Sequence, residues 1–506
     1  MPGPGRARTR AGSGNAPAGG GHGGGGGGAR PPATGRDLAR HVLARVEADG
    51  AYANRALAAA LDRAAGMSPA ERGLATELVY GVLRRRARLD RALEAVADRG
   101  LAALPPAART ALRVGAYQLL FLDRVPGYAA VNDAVEAMKR AHGPRLGGLA
   151  NALLRRVSER GEPPLPDPER DPVAFLEEAC GWPAWLARLA LRELGAAAAV
   201  ALGTASGTAA PVALRANRLA PPPADAMARG GAEGVGITRE VLAERLVAER
   251  PDVILTPSAV APDALLARGL DAPARTHAFA AGAFAIEDVG AQVVAELCGA
   301  VPGERILDAC AGLGGKTAHL AALAGNQAVI EALDLSAAKL RQAEEQWARL
   351  GVRGVQARAA DLTKDFPPDT QPYDRVLLDA PCSGLGVLRR HPEILLRRSE
   401  ADLSLLAATG RRMLDVVSTV VAPGGALTYA VCTFDRVEGE DVVRAFLAGH
   451  SEFTVEAPSV GGGTRGSDVP WDRLIVPGDG VRLWPDRDEA DAFFAVRLRR
   501  RREPIG

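Results

Sequence analysis

From Arg36 onward the apolar positions return every three or four residues. Leu38, Val42, Leu43 and Val46 fall on one helical face, and the same spacing runs through residues 56–61, 70–83, 89–96, 107–121, 129–140 and 146–157. This predicts a compact all-α domain over residues 35–162. Residues 163–172, rich in proline and charge, break the pattern as a linker. Residues 173–280 carry a mixed signal, with a strand expected at 211–218, an inserted glycine-bearing loop at 230–236 and a helix at 238–250. They predict a small α+β subdomain. From residue 281 the period changes again: short continuous apolar runs such as Val376-Leu377-Leu378 alternate with helical segments up to about residue 500. That alternation predicts an α/β, Rossmann-like doubly wound parallel sheet with strands covered on both faces.

Composition narrows the class of protein. The chain has 506 residues, 47% hydrophobic and 24% charged, which is enough for two or three cores. Its net charge of +2 means that any nucleic-acid contact must come from local patches. Only four of the 62 basic residues are lysine, so arginine abundance alone says little about function. Residues 1–34 are Gly/Ala/Pro/Arg low complexity and predict a disordered tail. The five cysteines form no CxxC motif and no His cluster, which argues against a disulfide scaffold or a metal site and for a reducing cytoplasm. There is no long apolar run for a membrane span, so a soluble protein is expected, and a monomer is expected.

The chemistry concentrates where strands are expected to end. Asp379 and Cys382 follow the run Val376–Leu378, and Cys432 follows a second apolar strand, each flanked by a loop. In an open α/β sheet the carboxyl edge is where ligands bind. A lone cysteine is most often a packed core residue; two at strand ends, with an acid beside one, point to nucleophilic chemistry. The loop Ala309–Gly315 joins the strand ending at Asp308 to a helix, presenting backbone N–H groups and a helix N-terminus to a ligand. Its spacing disfavours two common nucleotide sites: a P-loop needs glycine where Cys310 stands, and a dinucleotide loop needs glycine at Thr317. The next strand ends in Asp334, placed to accept from both hydroxyls of a ribose. In the helical domain, Arg84, Arg85, Arg86 and Arg88 form a basic cluster whose simplest meaning is a solvated face; it is also the first candidate for phosphate contacts. His391 is read as a structural residue of the Pro392 turn, and 497–502 as a frayed basic tail.

These motifs together resemble a known family. Residues 308–317 (Asp-Ala-Cys-Ala-Gly-Leu-Gly-Gly-Lys-Thr), 379–384 (Asp-Ala-Pro-Cys-Ser-Gly) with the following Arg389-Arg390-His391-Pro392-Glu393, and 429–433 (Tyr-Ala-Val-Cys-Thr) resemble the RsmB/Sun family of ribosomal RNA cytosine-5 methyltransferases. Glu287-Asp288 with Gln292 is similar to the segment before that family's first motif, and residues 77–84, 113–122 and 131–136 resemble the NusB-like RNA-binding helical domain. The family's loop usually reads Cys-Ala-Ala-Pro-Gly-Gly-Lys, whereas Gly312 and Leu313 stand here for Ala and Pro. The resemblance implies S-adenosylmethionine held by Cys310, Ala311, Gly312, Leu313, Gly314, Gly315, Lys316, Asp334, Asp361 and Asp379. It also implies Cys432 as nucleophile, and small-subunit (16S) ribosomal RNA as the partner.

The chemistry accounts for two thiols. Carbon 5 of cytosine is a poor nucleophile until a thiolate adds to carbon 6 and makes an enamine. Cys432 would make that attack, Asp379 would share a proton with ring nitrogen 3, and Cys382 would assist loss of the carbon 5 proton. The base would be flipped into the pocket, with Arg389 and Arg390 beside it for a phosphate or the nucleotide. Three alternatives stay open: transfer RNA as substrate, a nucleotide-dependent enzyme of another kind, and a non-catalytic RNA-binding assembly factor.

Overall fold

The computed structural model describes residues 34–221, 236–270, 272–458, 468–476, 478 and 480–502. The expected N-terminal tail and nearly all of the expected 230–236 loop lie outside the described residues. Seven helices, Gly35–Asp49, Ala53–Arg63, Pro69–Arg84, Arg86–Glu94, Pro106–Phe121, Gly127–His142 and Pro144–Arg160, form the N-terminal domain. Local chemistry sets their starts: Thr34 and Ser68 accept from the amides of Asp37 and Glu71, and Pro69, Pro106 and Pro144 open their helices where no N–H partner is needed. Leu38, Val42, Leu78, Leu89, Leu112, Val114 and Leu154 are buried in one core, each contributing about 1.5–3 kcal/mol of transfer free energy. Among the described residues no helix is long and apolar enough to cross a membrane.

The middle region divides differently from the expected α+β unit. Helices Pro172–Glu178, Ala184–Leu194 and Ala196–Ser206 share a core with Leu385, Leu388, Ile394, Phe434 and Ala492 of the C-terminal domain, and Trp182 stacks on Phe434 with centroids 6.1 Å apart. They therefore brace the segments that follow Cys382 and Cys432. A separate antiparallel sheet is built from β1 (Val212–Ala216), β2 (Ile254–Pro257), β3 (Ala264–Arg268) and β4 (Phe284–Ile286), in the order β2-β3-β1-β4. It thus extends past residue 280, because Leu214 and Ala216 of β1 pair with Ile286 and Phe284.

Among the described residues the main sheet has nine strands: β5 (Arg305–Asp308), β6 (Val329–Asp334), β7 (Val355–Ala359), β8 (Tyr373–Asp379), β9 (Val421–Val431), β10 (Phe453–Val455), β11 (Ile475–Val476), β12 (Gly480–Leu483) and β13 (Phe493–Arg500). Its order is β11-β12-β13-β9-β8-β5-β6-β7, with β10 on β13. The strands from β9 to β7 run parallel, as the sequence predicts; β13, however, is antiparallel to β9, so the sheet is mixed. Of the arginines expected in a frayed tail, Arg497, Arg499 and Arg500 belong to this strand: Arg497 and Arg499 pair with Glu456, and Arg499 and Arg500 donate to the carbonyls of Gly424 and Val421. Strand order reverses between β5 and β8, the switch point at which such sheets bind ligands.

The basic residues expected to meet RNA are engaged inside the chain. Arg84 donates through Nε to the carbonyl of Arg389 at 3.0 Å, Arg86 pairs with Glu47, Arg88 pairs with Glu162, and the guanidinium of Arg85 lies 4.4 Å from the Phe121 ring centroid. Arg389 is buried against Asp491 (3.3 Å), while Arg390 bridges Asp491 (2.9 Å) and Asp288 (2.7 Å). Arginine suits a domain junction because its five donors can satisfy the carbonyls and carboxylates buried there. Glu393 belongs to the same junction, accepting from the amide of Ala53 at 3.1 Å.

Removing one member of such a buried cluster leaves a charge unpaired. Asp491→Ala is expected to destabilise the protein by about 3–5 kcal/mol. Asp365→Ala, which removes the exposed partner of Arg412, should cost about 1 kcal/mol or less. Denaturant unfolding of both variants checks this, and equal midpoints would show that the cluster is not a structural tie.

Candidate active site

The two strand-end cysteines meet because their strands pair in register. Asp379 of β8 stands opposite Ala430 of β9, and the amide of Ala380 donates to the carbonyl of Ala430 at 2.9 Å. Cys382 and Cys432 lie just beyond that pair. The amide of Gly386 then donates to the carbonyl of Cys432 at 3.0 Å, closing the loop over the end of β9. Only glycine fits there, since a Cβ would lie 2.0 Å from the carbonyl oxygen of Ala492. The result is an Sγ–Sγ separation of 3.3 Å between Cys382 and Cys432. Both cysteines are half-buried residues.

Charge is arranged around this pair. Lys316 Nζ donates to Asp379 Oδ2 at 2.7 Å. Burial pulls the Lys316 ammonium down, but Asp379, through its charge and this hydrogen bond, more than offsets it, and the group is held protonated above its usual range. The hydrogen bond to Cys382, then burial, raises the Cys432 thiol well above the ordinary cysteine value, against the pull of Lys316. Cys432 is thus a thiol in the resting protein. Asp308, at the end of β5, is pushed up to about 6 by burial, although Thr317 Oγ1 donates to its Oδ2 at 2.6 Å.

The glycine loop has the form its sequence predicts. Gly312 and Gly314 take positive φ angles of 59° and 77°, a region that side chains rarely enter. Gly314 is doubly required: a Cβ would sit 2.4 Å from the Trp347 indole nitrogen, which donates to the Gly314 carbonyl at 2.9 Å. Ala311 anchors the loop through its amide to the carbonyl of Leu333, and Leu313 at its tip is 55% exposed. Asp334 accepts from the Gly312 amide (3.0 Å) and the Ser336 amide (2.8 Å). Gly315 opens the helix Gly315–Leu323, with Glu287 Oε1 3.6 Å from where a Cβ would lie, and Cys310 is partly buried with burial raising its thiol. Asp361 lies two residues past β7, where the hydroxyl and amide of Thr363 hold its carboxyl below the usual range. The edge thus gathers Cys310–Lys316, Asp334, Asp379, Cys382 and Cys432. Arg84–Arg88, Arg389 and Arg390 face other partners, as described above. Among the described residues no cluster of His, Cys, Asp and Glu is arranged to hold a metal ion.

Other residues at this edge carry contacts that the sequence does not assign, Glu287 and Asp288 having entered only through the resemblance of their segment to the RsmB/Sun family. Glu287 accepts from Arg215 Nε at 2.6 Å inside the protein, joining the small sheet to the base of the glycine loop. Asp288 caps the helix Val289–Cys298 and holds Arg390. Glu438 and Arg398 contact the Cys382 loop. Nothing in periodicity or spacing distinguishes these residues from solvated surface charges; Glu438 in Glu-Gly-Glu shortly after Cys432 was the nearest signal.

Comparison with known proteins agrees with this architecture. A model of the 16S rRNA methyltransferase RsmB/F family matches residues 297–499, and a model of the NusB family matches residues 33–159. The ribosomal RNA small subunit methyltransferase B of Pseudomonas putida is 33% identical over 412 residues, covering 81% of this chain and 88% of that protein. That of Xanthomonas campestris is 33% identical over 467 residues, covering 91% and 95%. Among solved structures, PH0851 superposes with a TM-score of 0.72 at 23% identity, covering 93% of this chain and 99% of that one. NSun6 from Pyrococcus horikoshii with SFG gives 0.50 at 20% identity, over 62% and 97%. With its NusB-like helical domain, mixed methyltransferase sheet and relatives matched over nearly their full length, this chain belongs to the RsmB/F family of ribosomal RNA methyltransferases.

Proposed function

We propose that this protein transfers a methyl group from S-adenosylmethionine to carbon 5 of a cytosine in small-subunit (16S) ribosomal RNA. The reaction takes place in the cytoplasm and passes through a covalent bond between Cys432 and carbon 6 of the base. The observation that carries this reading is the pair of thiols 3.3 Å apart at adjacent strand ends, beside the Lys316–Asp379 ion pair. A methyltransferase acting on oxygen or on an amine nitrogen needs no thiol; carbon 5 of a pyrimidine needs one.

The glycine loop supports the cofactor assignment. Asp334 accepts a main-chain amide at each oxygen and Lys339 Nζ at Oδ2 (3.5 Å), which orients its carboxylate for the two ribose hydroxyls. Gly312 and Gly314 keep the loop's backbone clear of side chains, and the similar NSun6 was solved with SFG, an S-adenosylmethionine analogue. When bound, S-adenosylmethionine supplies an electrophilic methyl group on a sulfonium. Asp379, anchored through Oδ2 by Lys316, takes up at Oδ1 the proton that Cys432 loses and shares it with ring nitrogen 3 as the ring accepts electrons. Cys432, deprotonated as the base arrives, adds through sulfur to carbon 6, and the displaced π electrons make carbon 5 nucleophilic. After methylation, carbon 5 loses its proton with help from Cys382; the electron pair re-forms the ring double bond and expels the Cys432 thiolate. No metal is needed at any step.

Cys432→Ala should abolish methyl transfer and form no adduct. Cys382→Ala should methylate once and stall as a denaturant-resistant protein–RNA complex carrying the labelled methyl group. The reverse pattern would exchange the two roles, and methylation by both variants would return both thiols to core packing. Asp334→Ala should weaken cofactor binding by about 1.5–3 kcal/mol with RNA affinity unchanged; calorimetry showing equal cofactor affinity would remove Asp334 from the site. Because the Cys382 hydrogen bond and burial raise the Cys432 thiol, the attacking thiolate becomes more abundant as pH rises. The logarithm of the single-turnover rate should therefore climb with a slope of about 1 between about pH 6 and 8, and a flat profile would mean that Cys432 is already ionised.

A further inference from the structure

We infer that Glu438 and Arg398 are positioning residues for Cys382, holding its loop at the separation from Cys432 that release of the methylated base requires. The inference rests on the release role proposed above for Cys382. Cys382 and Ser383 lie beyond the last paired residue of β8, between Pro381 and Gly384, where no strand ladder fixes the backbone. Two side chains, one accepting and one donating, replace the ladder. Glu438 Oε1 accepts from the Ser383 amide at 2.8 Å. Arg398 donates through Nε to the Ser383 carbonyl at 3.0 Å and through Nη2 to the Cys382 carbonyl at 3.2 Å. The peptide groups on both sides of Ser383 are thus held.

Glu438 is itself tied to the strand that carries Cys432. Its main-chain carbonyl accepts from the Tyr429 hydroxyl at 2.7 Å, within β9, and Ser383 Oγ lies 3.3 Å from Thr433 Oγ1, the residue after Cys432. Glu438 therefore measures the Cys382 loop against the Cys432 strand end. It is only 1% exposed, and its Oε2 has no protein partner. A buried carboxyl with one oxygen unpartnered is a costly way to pack a loop, and such groups are found where geometry matters for chemistry. Burial pushes its carboxyl up to about 7, consistent with a role in which the acceptor oxygen, not a fixed charge, is what the Ser383 amide needs.

The reaction supplies the reason. Cys432 is bonded to carbon 6 while the proton is lost from the adjacent carbon 5, so the two thiols must address neighbouring atoms of one ring. A shift of about 1 Å in such a constellation can cost about 100-fold in rate. Loss of the tie should therefore slow release while leaving the attack of Cys432 and methyl transfer intact.

The test uses the full-length protein with substrate RNA and labelled S-adenosylmethionine. Glu438→Ala and Arg398→Met should accumulate the methylated covalent adduct that Cys382→Ala accumulates, with unchanged melting temperature and cofactor affinity. Glu438→Gln, which keeps an acceptor oxygen for the Ser383 amide, should restore release. A second readout does not depend on the assigned roles: diamide should join Cys382 to Cys432 as a disulfide, detected by mass spectrometry, about tenfold more slowly in Glu438→Ala than in Glu438→Gln or the unaltered protein. Unchanged cross-linking in Glu438→Ala overturns the positioning inference. Slowed cross-linking with no adduct from either Glu438→Ala or Cys382→Ala keeps the tie and overturns the release role instead. Equal impairment of Glu438→Ala and Glu438→Gln would mean that the charge acts, not the hydrogen bond, and would also overturn the inference.

Discussion

The parallel pairing of β8 with β9 is the constraint on which the rest of this molecule depends. Its register, Asp379 opposite Ala430, decides that two loops separated by fifty residues of chain emerge side by side. A slip of one residue would turn one strand's side chains to the opposite face and part the thiols. The register is held from both sides. Val376, Leu377 and Leu378 are fully buried, as are Leu427 and Ala430, so neither strand can slide without exposing apolar surface. The Gly386 bridge to the carbonyl of Cys432 then locks the ends.

Around that pair the protein settles its charges almost entirely within itself. Arg389, Arg390, Asp288 and Asp491 tie the segment after Cys382 to the start of the helix Val289–Cys298 and to the approach of β13. Arg482 and Glu440, both buried, pair beside the carbonyl of Thr433. The helical domain meets the same segment through Ala53, Arg84 and Tyr52, whose ring lies 4.0 Å from the Arg397 guanidinium carbon. One stretch, residues 384–398, therefore joins the thiol loop, the helical domain and the three bracing helices.

Two kinds of buried acid serve different ends here. Asp491 sits among arginines and stabilises the junction by pairing. Asp308 and Glu438 sit at the strand edge with fewer ionic partners, although burial raises the carboxyls of all three. The first kind is structural; the second marks where the fold tolerates unfavourable burial so that a loop or a ligand is placed correctly.

Much of this was legible in the chain alone. Helical period, apolar strand runs and the glycine loop are local properties, governed by backbone sterics and side-chain alternation, so the all-α domain, the strands ending at Asp308, Asp334, Asp379 and Cys432, and the loop at 310–316 could be read directly. The antiparallel direction of β13, the place of the arginines at 497–500 within it, and the intramolecular partners of Arg84–Arg88, Arg389 and Arg390 could not. An arginine has the same sequence signature whether it meets a phosphate, solvent or a buried aspartate, and only the long-range packing that brings Asp491 or Glu162 beside it decides. The 3.3 Å between the thiols is of the same kind. Sequence placed each cysteine at the end of a strand; tertiary structure alone made the two strands neighbours, because strand order follows from helix crossovers and sheet packing that no local pattern encodes.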